Sequence, residues 1–135
     1  VLYFPAKRGR HKFFERGYQL EYNRVMDSLI IYQKVYDFTL YIFPIVDKFP
    51  KHEKFVMCTH IKSCVLDMTR LVIQANKSRN KRPILYDIDV KIEELKFLLR
   101  LAHDRKYLAH KSYEHSSKLV VEIGRLLGGW IKSAG

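Results

Sequence analysis

The sequence predicts an all-α protein, an up-down-up-down antiparallel four-helix bundle, from three observations. Apolar residues recur at spacings of three and four through four segments of about 20 residues each. Short polar connections punctuated by proline separate the segments. No stretch alternates in the manner of a strand, and no internal repeat is visible.

The first helix is expected from about Ser28 to Asp47, with Ile31, Val35, Phe38, Ile42, Ile45 and Phe49 on one stripe. A second stripe, Leu29, Tyr32, Tyr36, Leu40 and Phe43, lies beside it. A helix apolar on two faces has more to bury than a small monomer offers. Pro44 is expected to kink its C-terminal end, and Pro50 to close it by disfavouring helical geometry at Phe49.

The second helix is expected from about Glu53 to Asn76, with Phe55, Cys58, Ile61, Val65, Met68, Val72 and Ala75 as its seam. The polar run from Lys77 to Arg82 follows. Pro83 then opens the third helix, since proline is favoured in a first turn, and Asp87 and Asp89 suit the dipole there. That helix reaches about Lys106, with Leu85, Ile88, Ile92, Leu95, Leu99 and Ala102 inward. The fourth is expected from near Ser112, with His110 an alternative cap, to about Lys132. Leu119, Ile123, Leu126 or Leu127, and Trp130 point inward.

Residues 1–25 differ from the rest. They hold Pro5, Gly9, Gly17 and the cluster Lys7-Arg8-Gly9-Arg10-His11-Lys12, with no sustained period. They read as a basic N-terminal arm, a short extra helix, or an upstream extension of a bundle domain spanning 26–135.

A chain of 135 residues and 16.1 kDa is one domain, able to bury roughly two-thirds of its unfolded surface. With 47% apolar residues, 29% charged, six glycines and four prolines, disordered and fibrous classes are excluded. The longest apolar run, Phe38 to Val46, contains Thr39 and Pro44 and falls short of the ~20 residues of a membrane span. No signal-peptide core follows the N-terminus. Cys58 and Cys64 cannot form a disulfide framework. The expectation is a soluble, cytoplasmic, single-domain protein.

Catalytic patterns are absent. His60 and Cys64, four apart on a helix, have metal-ligand spacing, but two ligands do not close a zinc site. No phosphate-binding glycine loop occurs, and no serine, histidine or aspartate has a nucleophile's context. No catalytic, metal or cofactor residue is expected.

Charge is more informative. Twenty-five bases against 14 acids give a net charge of +11 and a pI near 9.7, which favours polyanionic partners. Lys77, Arg79, Lys81 and Arg82 form a loop cluster without an acid, and Lys51, also in a loop or first turn, is no core residue either. Lys96 and Arg100 stack one turn apart on the third helix, and Arg105, Lys106 and Lys111 crowd the end beyond them. Singly, each reads as a solvated cation. Together they read as phosphate contacts, with no groove-reading element for base-specific recognition.

Gly124, Gly128 and Gly129 are the other anomaly. Glycine inside a helix costs about 1 kcal/mol relative to alanine, so three in six positions imply a closely approaching neighbour. Together with Trp130 they are expected at packing contacts, within the bundle or between subunits.

The stretch Tyr41-Ile42-Phe43-Pro44-Ile45-Val46-Asp47-Lys48-Phe49-Pro50-Lys51 resembles the first-helix ending of a bacterial four-helix bundle family. That family comprises the accessory variability determinant (Avd) proteins of diversity-generating retroelements and the 23S rRNA intervening-sequence proteins. Ala75 to Lys81, Leu95 to Arg100, and Glu122 to Lys132 with its Gly-Gly-Trp-Ile-Lys ending are similar to the same family. The resemblance spans about Met26 to Lys132. It implies a barrel-like homopentamer without catalytic activity that binds a reverse transcriptase and nucleic acid, template RNA or complementary DNA, in mutagenic retrohoming. Onto matching positions it carries Lys77, Arg79, Lys81, Lys96, Arg100 and Arg125 as nucleic-acid or polymerase contacts, with Arg125 alternatively paired to Glu122. The alternative function is that of an rRNA intervening-sequence bundle of structural role. An adjacent reverse transcriptase gene and variable repeat would distinguish the two.

Overall fold

The structure, a computed structural model, describes residues 12–134, with side chains described at Gln19 and from Val25 onward. The basic cluster from Lys7 to His11 lies outside the described residues. Four helices follow in order: α1 (Lys12–Val46), α2 (Met57–Lys77), α3 (Arg82–Asp104) and α4 (His110–Ala134). A single 3-10 turn, Lys51–Glu53, joins α1 to α2, and no strand occurs among the described residues. Each helix packs on its two chain neighbours, and α4 returns against α1, so the four axes form a square antiparallel bundle. The α1–α2 and α3–α4 grooves therefore lie on opposite sides.

One seam per helix meets at the centre. Ile31, Val35, Phe38, Ile42 and Val46 of α1 face Ile61, Val65, Met68 and Val72 of α2. Leu85, Ile88, Ile92, Leu95 and Leu99 of α3 and Val120, Ile123, Leu127 and Trp130 of α4 complete the core. Each fully buried aliphatic or aromatic side chain contributes roughly 1.5–3 kcal/mol of transfer free energy, enough in sum to define one core.

Several elements differ from the sequence-based expectation. α1 starts at Lys12, well before Ser28, so Met26 falls inside a continuous helix. Pro44 sits in its last turn, where the hydrogen-bond ladder is already ending. Val46 takes the seam position expected of Ile45, because it lies four residues beyond Ile42 on the stripe of Ile31, Val35 and Phe38, closer to the 3.6-residue period than a further step of three. α4 starts at His110 rather than Ser112 and buries Ser116 and Val120 rather than Leu119. Val25–Val46 is long and apolar enough to cross a membrane by length and composition, contrary to the expectation from single runs. Its buried stripe packs in the bundle core.

Phe55 is the largest correction. Expected in the α2 seam, it is 82% exposed. The 3-10 turn and the irregular residues after it delay α2 until Met57, so Phe55 never acquires the helical register that would turn it inward. Met57 and Cys58 close the core there instead.

The glycines are also not where a neighbouring helix presses. A Cβ built on Gly124 would meet Ile92 Cγ2 at 3.9 Å, an ordinary contact, and one on Gly128 or Gly129 would meet nothing within 4 Å. Close approach inside the bundle is thus not their reason. Trp130 belongs to the core itself at 1% exposure, not to an external packing face.

At the α3–α4 turn, the Lys106 amide donates to the His103 carbonyl at 2.9 Å and the Tyr107 amide to the Ala102 carbonyl at 2.9 Å. This Schellman closure places Lys106 at φ 65°, a position glycine usually fills. The strain of a side-chain-bearing residue there is of order 1–2 kcal/mol.

Candidate nucleic-acid interface

The α2–α3 loop is built by one lysine. α2 ends at Lys77, and Ser78 leaves in extended geometry. Lys81 then folds back, and its Nζ donates to the carbonyls of Ala75 (2.9 Å), Asn76 (3.3 Å) and Ser78 (2.7 Å). Those carbonyls belong to the C-terminal turn of α2 and the residue that caps it, where a cation is favoured by both hydrogen bonding and the helix dipole. Lys81 is therefore a structural cap with its three donors occupied, not a free phosphate contact.

Lys81 is thus neither the solvated cation nor the phosphate contact expected of it. Lys81→Ala should destabilise the protein by about 1.5–3 kcal/mol, the range for charge-assisted hydrogen bonds. A urea denaturation midpoint unchanged from wild type would refute the cap.

The other loop cations remain outward. Lys77 and Arg79 are exposed and make no ion pair among the described residues. The Arg82 guanidinium lies 6.0 Å from the Tyr86 ring centroid, a cation–π contact that leaves its edge to solvent. Lys96 and Arg100 are not part of this site. They lie 14 and 18 residues farther along α3, roughly 21 and 27 Å at 1.5 Å per residue, toward the opposite end.

Both also have carboxylate partners. Lys96 Nζ is 3.2 Å from Glu93 Oε1, and Arg100 Nε is 3.9 Å from Asp104 Oδ2. Arg125, on α4, holds Glu122 through Nη2 at 2.7 Å and Nε at 3.1 Å. The hydrogen bond from Arg125 keeps the Glu122 carboxyl below the ordinary carboxylate range. Such exposed pairs are weak, so a phosphate can displace the carboxylate, but none is a standing vacancy for one.

The structure thus divides the expected site between two ends of the bundle. The far end gathers Lys48, Lys51, Lys54, Lys106 and Lys111, none of them ion-paired among the described residues. Of these the sequence pointed to Lys51, Lys106 and Lys111, but not to Lys48 or Lys54. At the α1–α2 corner, Lys51, Lys54 and Lys62 rim a cleft of about 500 Å³ beside Phe55. The signal available in sequence was the close spacing of Lys51, Lys54 and Phe55, masked by assigning Phe55 to the core.

Among the described residues, the cysteines and histidines do not converge on one another as a cluster of three or more. The Cys64 thiol is buried and donates to the Lys91 carbonyl at 3.3 Å, and burial pushes its pKa up to about 11. His60 is exposed, so the pair four residues apart does not converge. His103 and His110 approach at 3.3 Å, with His103 stacked on Tyr113. No group of three or more metal-ligating side chains occurs among the described residues.

Four helices in one bundle, with exposed cations at both of its ends, define the class by fold and charge: a basic, all-helical four-helix bundle protein. The model of the bAvd-like family matches residues 29–134, and the chain belongs to that family. No curated protein shows significant similarity to it. The matched segment begins within α1 and covers the whole of α2 and α3 and α4 to its last residue.

Proposed function

We propose that this protein is the non-enzymatic accessory subunit of a diversity-generating retroelement. It acts as a cytoplasmic, basic homopentamer that binds the reverse transcriptase and template RNA or complementary DNA during mutagenic retrohoming. The family match over residues 29–134 carries this reading. It favours the retroelement branch over the rRNA intervening-sequence branch.

Two features of the protomer support it. Lys77 and Arg79 at one end, and the lysines at the other, are free to neutralise phosphates. Exposed apolar strips also occupy opposite sides. Leu29, Tyr32, Tyr36, Leu40, Leu66 and Ile73 flank the α1–α2 groove, while Phe97 and Val121 line the α3–α4 groove. Gly124 and Gly128 share the helical face of Val121 by spacing, which leaves that groove shallow. Two different apolar faces on opposite sides suit a head-to-tail contact, and such contacts form a ring where the rotation between subunits closes.

The test is a salt series. Binding of a single-stranded RNA should weaken steeply as salt rises. Lys77→Ala with Arg79→Ala should lower the log–log slope by about 0.7 for each phosphate that a protomer no longer neutralises. Binding to the reverse transcriptase is measured on the same variant. A slope indifferent to both substitutions, with polymerase binding also unchanged, would show that this loop is only solvated.

A further inference from the structure

We infer that the α1–α2 corner cleft is a binding site for a single-stranded nucleotide, whose base stacks on Phe55 and whose phosphates lie against Lys51 and Lys54. This deepens the nucleic-acid reading above and rests on it. That reading requires only unspecific charge, whereas this site requires an unpaired base.

The cleft forms where the chain turns from α1 into α2. Its wall is apolar, from Val46, Phe49 and Cys58, and its rim carries Lys51, Lys54 and Lys62 against one carboxylate, Asp47. Lys62 is already ion-paired with Asp47. Lys51 and Lys54 are not ion-paired among the described residues, so even with Glu53 acting on Cys58 alongside Asp47, three lysines against two carboxylates leave the cleft a net positive charge. α2 starts here at Met57 without a side-chain cap, and its first-turn residues Cys58 and Thr59 line the cleft, which adds to the positive potential. At about 500 Å³ the space suits one small organic ligand.

Phe55 decides the class of ligand. The Lys54 ammonium lies over one face of the Phe55 ring, 5.8 Å from its centroid, and at 82% exposure the rest of the ring is left to solvent. Every nucleobase has a π-face able to cover that ring, and stacking of this type is tolerant of sequence. A duplex keeps its bases stacked inside and offers the cleft phosphates alone. An acidic peptide would satisfy the lysines and leave the ring uncovered. Aromatic ring, ammonium groups and cleft together match a nucleotide of a single strand.

The experiment compares a fluorescently labelled ten-nucleotide oligoadenylate RNA with a blunt RNA duplex of equal length, on the full chain. Phe55→Ala should weaken single-strand binding about ten-fold, within the range for loss of one base–aromatic stack, and leave duplex binding unchanged. Because Phe55 is outside the core, the variant should melt as wild type does. In a second arm, Phe55→Trp places an exposed indole in the cleft while Trp130 stays buried at 1%. Oligoadenylate should quench its emission.

Unchanged single-strand affinity in Phe55→Ala, or equal weakening of the duplex, overturns the site. So does an unquenched Phe55→Trp. If wild type binds both nucleic acids and only the Phe55 arms are silent, the cleft fails while the phosphate reading stands. If wild type binds neither, both fall. Loss of reverse-transcriptase capture in Phe55→Ala with intact RNA binding would assign the cleft to the protein partner and overturn the nucleotide.

Discussion

Trp130→Ala is expected to destabilise the protein by about 3–5 kcal/mol, the cost of removing a large aromatic from a packed core. The indole is 1% exposed on the α4 seam with Ile123 and Leu127. Its Nε1 is buried without a hydrogen-bond partner among the described residues. An unsatisfied buried donor costs about 1–3 kcal/mol, so removing it offsets part of any packing loss. Trp130→Phe should therefore remain within about 1 kcal/mol of wild type. Urea unfolding at one fixed protomer concentration checks both, because assembly would otherwise shift the midpoint. A loss in Trp130→Phe well above about 1 kcal/mol would mean that the N–H is satisfied after all.

The second large effect concerns assembly. Leu40 and Leu66 are 60% and 53% exposed on the α1–α2 strip. Converting both to lysine should leave the protomer's helicity intact, since neither contributes to its core. In an assembled ring the same change buries two unpaired ammonium groups in each contact, which an apolar interface cannot accommodate. Light scattering should then fall from about five times the chain mass, the closed ring proposed above, to the 16.1 kDa of one chain. A wild-type protein already at one chain mass would end the ring proposal. A double variant that stays assembled would move the interface away from this strip.

Much of the fold was legible because amphipathic periodicity survives translation into three dimensions almost unchanged. The α3 seam of Leu85, Ile88, Ile92, Leu95, Leu99 and Ala102 is buried as the spacing predicts. The errors cluster at ends, where hydrogen bonding rather than pattern decides. Phe55 fitted the α2 seam by spacing, yet the 3-10 turn at Lys51–Glu53 broke the register before it. The candidate site was less legible for a related reason. Composition shows how many cations a chain carries, but not which carbonyl or carboxylate each one meets.

By itself the sequence determined the helical class, the approximate extents of α2, α3 and α4, most of the inward seams and the net charge of +11, all consequences of residue type and local spacing. Only the tertiary structure decided that Lys81 is spent on the end of α2, that Lys96 and Arg100 lie far from the loop cluster, and that Phe55 faces solvent beside Lys51 and Lys54. The physical reason is range. Periodicity acts over one helical turn, whereas capping, ion pairing and cleft formation depend on which ends of separate helices the turns bring together.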